Sequence, residues 1–190
     1  MYYMRIEDMV ESQIIASVKS EADLEMALKS NVNIVFLLTG NLLSAERYIL
    51  QLKEAGKHVF LHLDFIEGLS NSRSAVNFIA EAWKPTGIIT TKANMVKFAK
   101  EMNLMTIQRI FLLDRSALYK GIEMVKSCSP DAVEIMPGIM PKIVDQLTSE
   151  LPYPIIVGGL ISELQEVHDA LRAGALAVSS GNPNMWHFDL

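Results

Sequence analysis

Two short strings late in the sequence, Gly158-Gly159 and Ser179-Ser180-Gly181, are built for holding an anion. Glycine lets the backbone come close to such a ligand, and consecutive N–H groups then point at its oxygens. Each string follows a short apolar, β-branched run, and Asn182-Pro183 can start a turn of helix directly afterwards. Either string alone is also what a tight turn needs. Their equivalent positions after two successive runs favour the two halves of one phosphate site.

Other polar residues that close apolar runs are Asp64, Lys92 and Glu134. Asp64 and Glu134 can accept hydrogen bonds from ligand hydroxyls, since buried carboxylates need donors. Lys92 can hold a hydroxyl or a second phosphate charge. Helix capping by the acids and plain solvation of the lysine are the competing readings. His62 stands two residues before Asp64, and in a strand both side chains would share a face as a base–acid pair or a hydrogen-bonded core pair. His58, His168 and His187 have no metal-ligand spacing, and Cys128 is the one cysteine, so neither a disulfide nor a cysteine metal cluster is expected. No residue set calls for a catalytic assignment. Trp186 reads as a plug over apolar surface.

These residues need elements to hold them. Strands are expected at Ile14–Val18, Ile34–Thr39, Val59–Asp64, Gly87–Thr91, Thr106–Leu113, Ala132–Met136, Ile155–Val157 and Leu176–Ser179. Most are continuous apolar runs, as strands covered on both faces should be. Between them lie helical stripes: Leu42, Ala45, Ile49 and Leu52; Met95, Phe98, Ala99 and Met102; Leu164, Val167 and Leu171. Gly56 and Gly174 are placed as C′ residues, Pro141 as a first-turn proline, and Ser162 with Gln165 as a capping box.

Eight βα units without a linker predict a minimal (β/α)8 TIM-like barrel spanning residues 1–190 as a single domain. An open doubly wound sheet is the alternative. Little sequence remains after strand eight for a full last outer helix, and the Ile6–Ser12 segment is expected to cover the barrel's side or bottom. In such a fold the polar strand ends form the site.

Composition narrows the classes further. Half of the 190 residues are hydrophobic, yet the longest apolar runs fall far short of the roughly 20 residues of a membrane span. No membrane association and no secretory leader are expected, and the reduced cysteine suits the cytoplasm. The net charge is −5 but uneven: Lys92 to Lys126 holds seven bases and three acids, net +4, and the remainder is −9. Outward placement of Lys97, Lys100, Lys120 and Lys126 on two neighbouring helices would make a basic strip, either a nucleic-acid face or a solvated wall.

The strings Phe60–Leu69, Gly87–Lys92, Gln108–Asp114, Val133–Gly138, Pro154–Leu160 and Ala170–Ser180, followed by Trp186, resemble the glycerol-uptake operon antiterminator regulatory family along nearly the whole chain. The resemblance implies a small phosphate-binding barrel that responds to glycerol 3-phosphate and acts on the leader mRNA of glycerol-utilisation transcripts. It implies a sensor without cofactor or catalysis, whose ligand favours an RNA-competent form or a homo-oligomer. The phosphate is expected on Gly158, Gly159, Ser179, Ser180 and Gly181, and the hydroxyls on Asp64, Lys92 and Glu134. Composition and periodicity show no RNA binding, and no RRM or KH signature is present. An enzyme acting on a small phosphorylated polyol or sugar is the alternative, because the barrel hosts many chemistries.

Overall fold

The computed structural model describes residues 4–188. Its eight strands are β1 (Ile14–Val18), β2 (Ile34–Leu37), β3 (His58–His62), β4 (Gly87–Thr90), β5 (Met105–Phe111), β6 (Ala132–Met136), β7 (Ile155–Gly158) and β8 (Ala177–Ser180). All pair in parallel with their sequence neighbours, and β8 returns to β1 through Ile14↔Val178, Ile15↔Ser179 and Ala16↔Ser180, closing a (β/α)8 barrel. Closure removes both sheet edges, so no strand is left with an unpaired ladder.

Seven helices follow the first seven strands: α2 (Glu21–Lys29), α3 (Ala45–Glu54), α4 (Arg73–Phe78, prolonged by a π-turn over Ile79–Trp83), α5 (Ala93–Glu101), α6 (Arg115–Cys128), α7 (Pro141–Glu150) and α8 (Leu164–Arg172). Each lays a narrow apolar stripe on the outer faces of the strands, as Ala45, Tyr48, Ile49 and Leu52 do for α3 and Met95, Val96 and Ala99 for α5. After β8 the described residues form only a 3₁₀ turn, Pro183–His187, in place of a full outer helix. A short leading helix, α1 (Ile6–Met9), buries Ile6 and Met9 against the apolar cluster inside the barrel and so stoppers its bottom.

The local punctuation departs from expectation in places. Strand β3 ends at His62, and Asp64 sits in a 3₁₀ turn over Leu63–Phe65. The strand stops there because the Asp64 carboxylate turns to the β4 end, where it accepts from the Thr91 amide and hydroxyl. His62 and Asp64 are therefore not alternate residues of one strand face. The α8 capping box uses Glu163 and Glu166 instead of Ser162 and Gln165, one residue further on. Leu42 precedes α3 and is half exposed, with Tyr48 completing the stripe. Pro141 opens α7, and Gly56 and Gly174 take positive φ after α3 and α8, as expected.

Candidate functional site

Strand alternation determines what the barrel encloses. At mid-height the inward positions are Ile15, Phe36, Phe60, Ile89, Ile107, Ala132, Ile156 and Ala177, one apolar cluster. Two residues further along the same strands come Ser17, Leu38, His62, Thr91, Arg109, Glu134, Gly158 and Ser179. The interior thus turns from apolar to polar in a single layer, at the C-terminal end. Above that layer opens a cavity of about 770 Å³.

Its floor is organised by one buried ion pair. Arg109 and Glu134 are direct register partners on β5 and β6. The Arg109 Nε donates to Glu134 Oε2 at 2.5 Å, and the side chains are 3% and 0% exposed. The other carboxylate oxygen accepts the Ser179 hydroxyl from β8 at 2.6 Å. A Cβ on Gly158 would lie 2.2 Å from the Ser179 Oγ and 3.0 Å from Glu134 Oε1, so only glycine lets this triad cross the top of β7. The neighbouring Gly159 holds φ at +75°, a left-handed conformation that suits glycine.

The wall beside β8 and β1 carries the glycine and serine strings. Gly159, Ser179, Ser180, Gly181 and Asn182 line the cavity together with Lys19, one residue beyond β1. The Lys19 ammonium lies over Gly181 so closely that a Cβ there would be 2.8 Å from Nζ. The serine hydroxyls are committed: Ser179 donates to Glu134, and Ser180 accepts from the Asn182 amide at 3.1 Å. What this wall offers an anion is therefore exposed backbone and one lysine. Trp186 is wholly buried beneath it, donating from Nε1 to the Ser180 carbonyl at 2.8 Å, and so fixes the loop from behind.

Asp64 and Lys92 do not line this cavity. They form a clasp at the β3 and β4 ends: Lys92 Nζ donates to Asp64 Oδ1 and to Asn71 Oδ1, each at 3.0 Å. Burial pushes the Asp64 carboxyl up. The Thr91 amide, the Lys92 ammonium and the Thr91 hydroxyl outweigh it and hold the group below its ordinary value. His62 stands 3.9 Å from Asp64, too far for a hydrogen bond. Burial and then Arg109 lower its pKa to about 3 against the pull of Asp64, so the ring is neutral at pH 7.

Of the residues the sequence pointed to, the structure gathers Gly158, Gly159, Ser179, Ser180, Gly181 and Glu134 at one end of the barrel, and sets Asp64 and Lys92 to one side of them. Sequence reasoning missed Lys19 and the role of Arg109. Lys19 carried no signal beyond its place after a strand. Arg109 did: a charge inside a strand covered on both faces demands a partner, and Glu134 stands opposite it on the next strand. The lysines Lys97 and Lys100 on α5 and Lys120 and Lys126 on α6 are exposed on packed neighbouring helices. Lys100 donates to the Ser129 carbonyl, and Lys126 is 3.9 Å from Glu123. Among the described residues no His, Cys, Asp and Glu cluster could hold a metal ion, and no helix is long and apolar enough to cross a membrane.

A closed barrel with a cavity over the C-terminal ends of its last two strands and its first defines a small (β/α)8 barrel protein. Residues 14–186 match the model of the glycerol-3-phosphate responsive antiterminators, and the chain belongs to that family. A glycerol uptake operon antiterminator regulatory protein from Listeria monocytogenes superposes with a TM-score of 0.91 at 32% identity, covering 96% of this chain and 98% of that one. An antiterminator-related protein from Thermotoga maritima gives a TM-score of 0.81 at 29% identity, covering 91% and 96%. An uncharacterised protein of Escherichia coli (strain K12), YgcP, is 34% identical over 93% of this chain and 92% of its own length. Enzymes with the same barrel at 14–15% identity share the fold alone.

Proposed function

We propose that the chain is a cytoplasmic sensor of glycerol 3-phosphate that acts on a leader mRNA and catalyses no reaction. The observation that carries the ligand half is the Lys19 ammonium poised over Gly181, beside Gly159, in the cavity at the strand C-termini. A dianionic phosphate there meets one full positive charge and backbone N–H groups, the combination that phosphate sites in such barrels use. Absence of catalysis is supported by how the acids are tied. Glu134 is paired with Arg109 and Ser179, Asp64 with Lys92 and Thr91, and the neutral His62 is wholly buried. None of these is placed as an uncommitted base beside the anion wall. The mRNA half rests on family membership and on the exposed lysines of α5 and α6. Ligand binding would order the β7 and β8 loops and shift the chain towards an RNA-competent form or a homo-oligomer, by no more than its differential affinity for the two states.

Thermal unfolding with and without ligand tests the reading. At 100 times its dissociation constant a ligand adds about 2.7 kcal/mol, which raises the midpoint by roughly 5–10 °C in a chain of this size. Glycerol 3-phosphate should do this and glycerol should not. Equal shifts with both compounds, or none with either, remove the phosphate site, and a product signal by NMR after incubation removes the sensor in favour of an enzyme.

A further inference from the structure

The polar layer under the cavity holds buried groups that no protein atom satisfies. Arg109 spends Nε on Glu134, yet its Nη2 is buried without a partner, and both ring nitrogens of His62 are in the same condition. The two side chains belong to one inner layer, on β5 and β3, and are almost wholly enclosed: Arg109 is 4% exposed and His62 0%. Arg109 lines the cavity, as does Phe65, whose ring packs edge-on against His62 with centroids 4.6 Å apart. The guanidinium is also close enough to His62 to oppose its protonation. Buried donors and acceptors are nearly always paired, so an orphaned guanidinium nitrogen on a cavity-lining residue, with an orphaned imidazole in the same inner layer, calls for an occupant.

Charge and hydrogen-bonding capacity select what the occupant is. Arg109 is already neutralised by Glu134, whose carboxylate would repel a second anionic oxygen brought alongside. A neutral imidazole offers one donor and one acceptor. The atom that suits a guanidinium donor and such a ring together is an uncharged oxygen carrying its own hydrogen. Lys19, by contrast, follows β1, which stands opposite β5 across the eight-stranded ring.

We propose that Arg109 and His62 form a hydroxyl-reading subsite, in which a ligand hydroxyl accepts from Arg109 Nη2 and shares a hydrogen bond with His62, so that the cavity selects hydroxylated phosphate esters over bare alkyl phosphates. The subsite rests on the reading of Lys19 and the glycine loops as the phosphate end. It replaces Asp64 and Lys92 in the hydroxyl role, because those two are engaged with each other, with Thr91 and with Asn71. Glu134 becomes a positioning residue that aims the guanidinium.

Calorimetric titration of the full chain with glycerol 3-phosphate, propyl phosphate and inorganic phosphate tests this. Sites built around a ligand hydroxyl reject the analogue lacking it, so the wild type should prefer glycerol 3-phosphate to propyl phosphate by about tenfold to a hundredfold or more. The double variant R109M/E134Q, which removes both charges of the pair together, should bind the two esters alike while keeping its affinity for inorganic phosphate. His62→Phe, which keeps an aromatic ring against Phe65, should narrow the gap in the same way. Equal wild-type affinity for the two esters overturns the subsite alone, as does an undiminished gap in R109M/E134Q. Failure of the wild type to bind any of the three compounds overturns the phosphate reading and the subsite with it. Should the double variant not fold, the wild-type ligand pair and His62→Phe still decide.

Discussion

His62 and Asp64 face each other at 3.9 Å, and both are held below their ordinary pKa values, so one resists charge while the other keeps it. The two act on stability in different ranges of pH. An unfolded histidine takes up its proton near 6.5, whereas His62 in the fold waits until about 3. Between those values the unfolded chain binds more protons, so stability is full above pH 6.5 and falls as the pH drops, by about 1.4 kcal/mol per unit. Asp64, its folded value depressed from 3.8, contributes stability that is present above that value and lost only as the pH falls further. Urea midpoints measured between pH 6.5 and about 4.5 should therefore decline in the wild type and stay nearly level in His62→Phe. Parallel declines in both proteins would mean that His62 is not buried neutral. At this scale the sequence was only half legible. The glycine and serine strings at two successive strand ends are visible in the sequence, whereas the clasp of Asp64 with Lys92 is not, because it crosses from the end of β3 to the end of β4. The two residues stand 28 positions apart and just past their strands, where a charge is ordinary, so neither marks the other as its partner.

At the scale of elements, the strands were readable because most are apolar runs enclosed on both faces, and a run such as Ile34–Leu37 has no other stable home. Their ends were less so. Strand β3 stops early because the Asp64 side chain competes for backbone donors, and the α8 cap moves by one residue because Glu166 reaches the amides of both Ser162 and Glu163. The loops after β7 and β8 resemble each other in sequence and differ in tolerance. Alanine at Gly158 would drive its Cβ into the Ser179 hydroxyl and the Glu134 carboxylate, both locked in the floor network, so Gly158→Ala should cost about 2–3 kcal/mol of stability. Alanine at Gly181 meets only the tip of Lys19, which can swing away. Gly181→Ala should thus unfold at nearly the wild-type temperature while its affinity for inorganic phosphate drops by about tenfold, as expected when one charge-assisted hydrogen bond is removed. The reverse pattern, a stable Gly158→Ala and an unstable Gly181→Ala, would place the rigid network on the wrong strand.

Across the whole molecule, the segment from Lys92 to Lys126 is a basic sector on an acidic chain, and the fold gives it one wall, α5 beside α6. That wall is outside the barrel, whereas the cavity lies over the strand ends, so the two can be separated by substitution. If leader RNA lies along this wall, changing Lys97, Lys100, Lys120 and Lys126 together to Glu should weaken its binding and flatten the salt dependence, by about one unit of slope for each RNA phosphate that is no longer neutralised. Stabilisation by glycerol 3-phosphate should survive the same changes. Unchanged affinity and slope would reduce the wall to a solvated surface. Lys100 and Lys126 already lean towards Ser129 and Glu123, so Lys97 and Lys120 should carry the larger share of the effect.

The buried hydrogen bond from Trp186 to the Ser180 carbonyl turns the loop after β8 into something that can be watched with light. The chain has two tryptophans, and the other, Trp83, packs edge-on against Phe78 at the end of α4. One indole is thus wired by its N–H to the backbone at the end of β8, while its counterpart sits on the outer shell. With Trp83 replaced by Phe, the emission wavelength of the remaining indole becomes an optical gauge of how tightly the β8 loop is held.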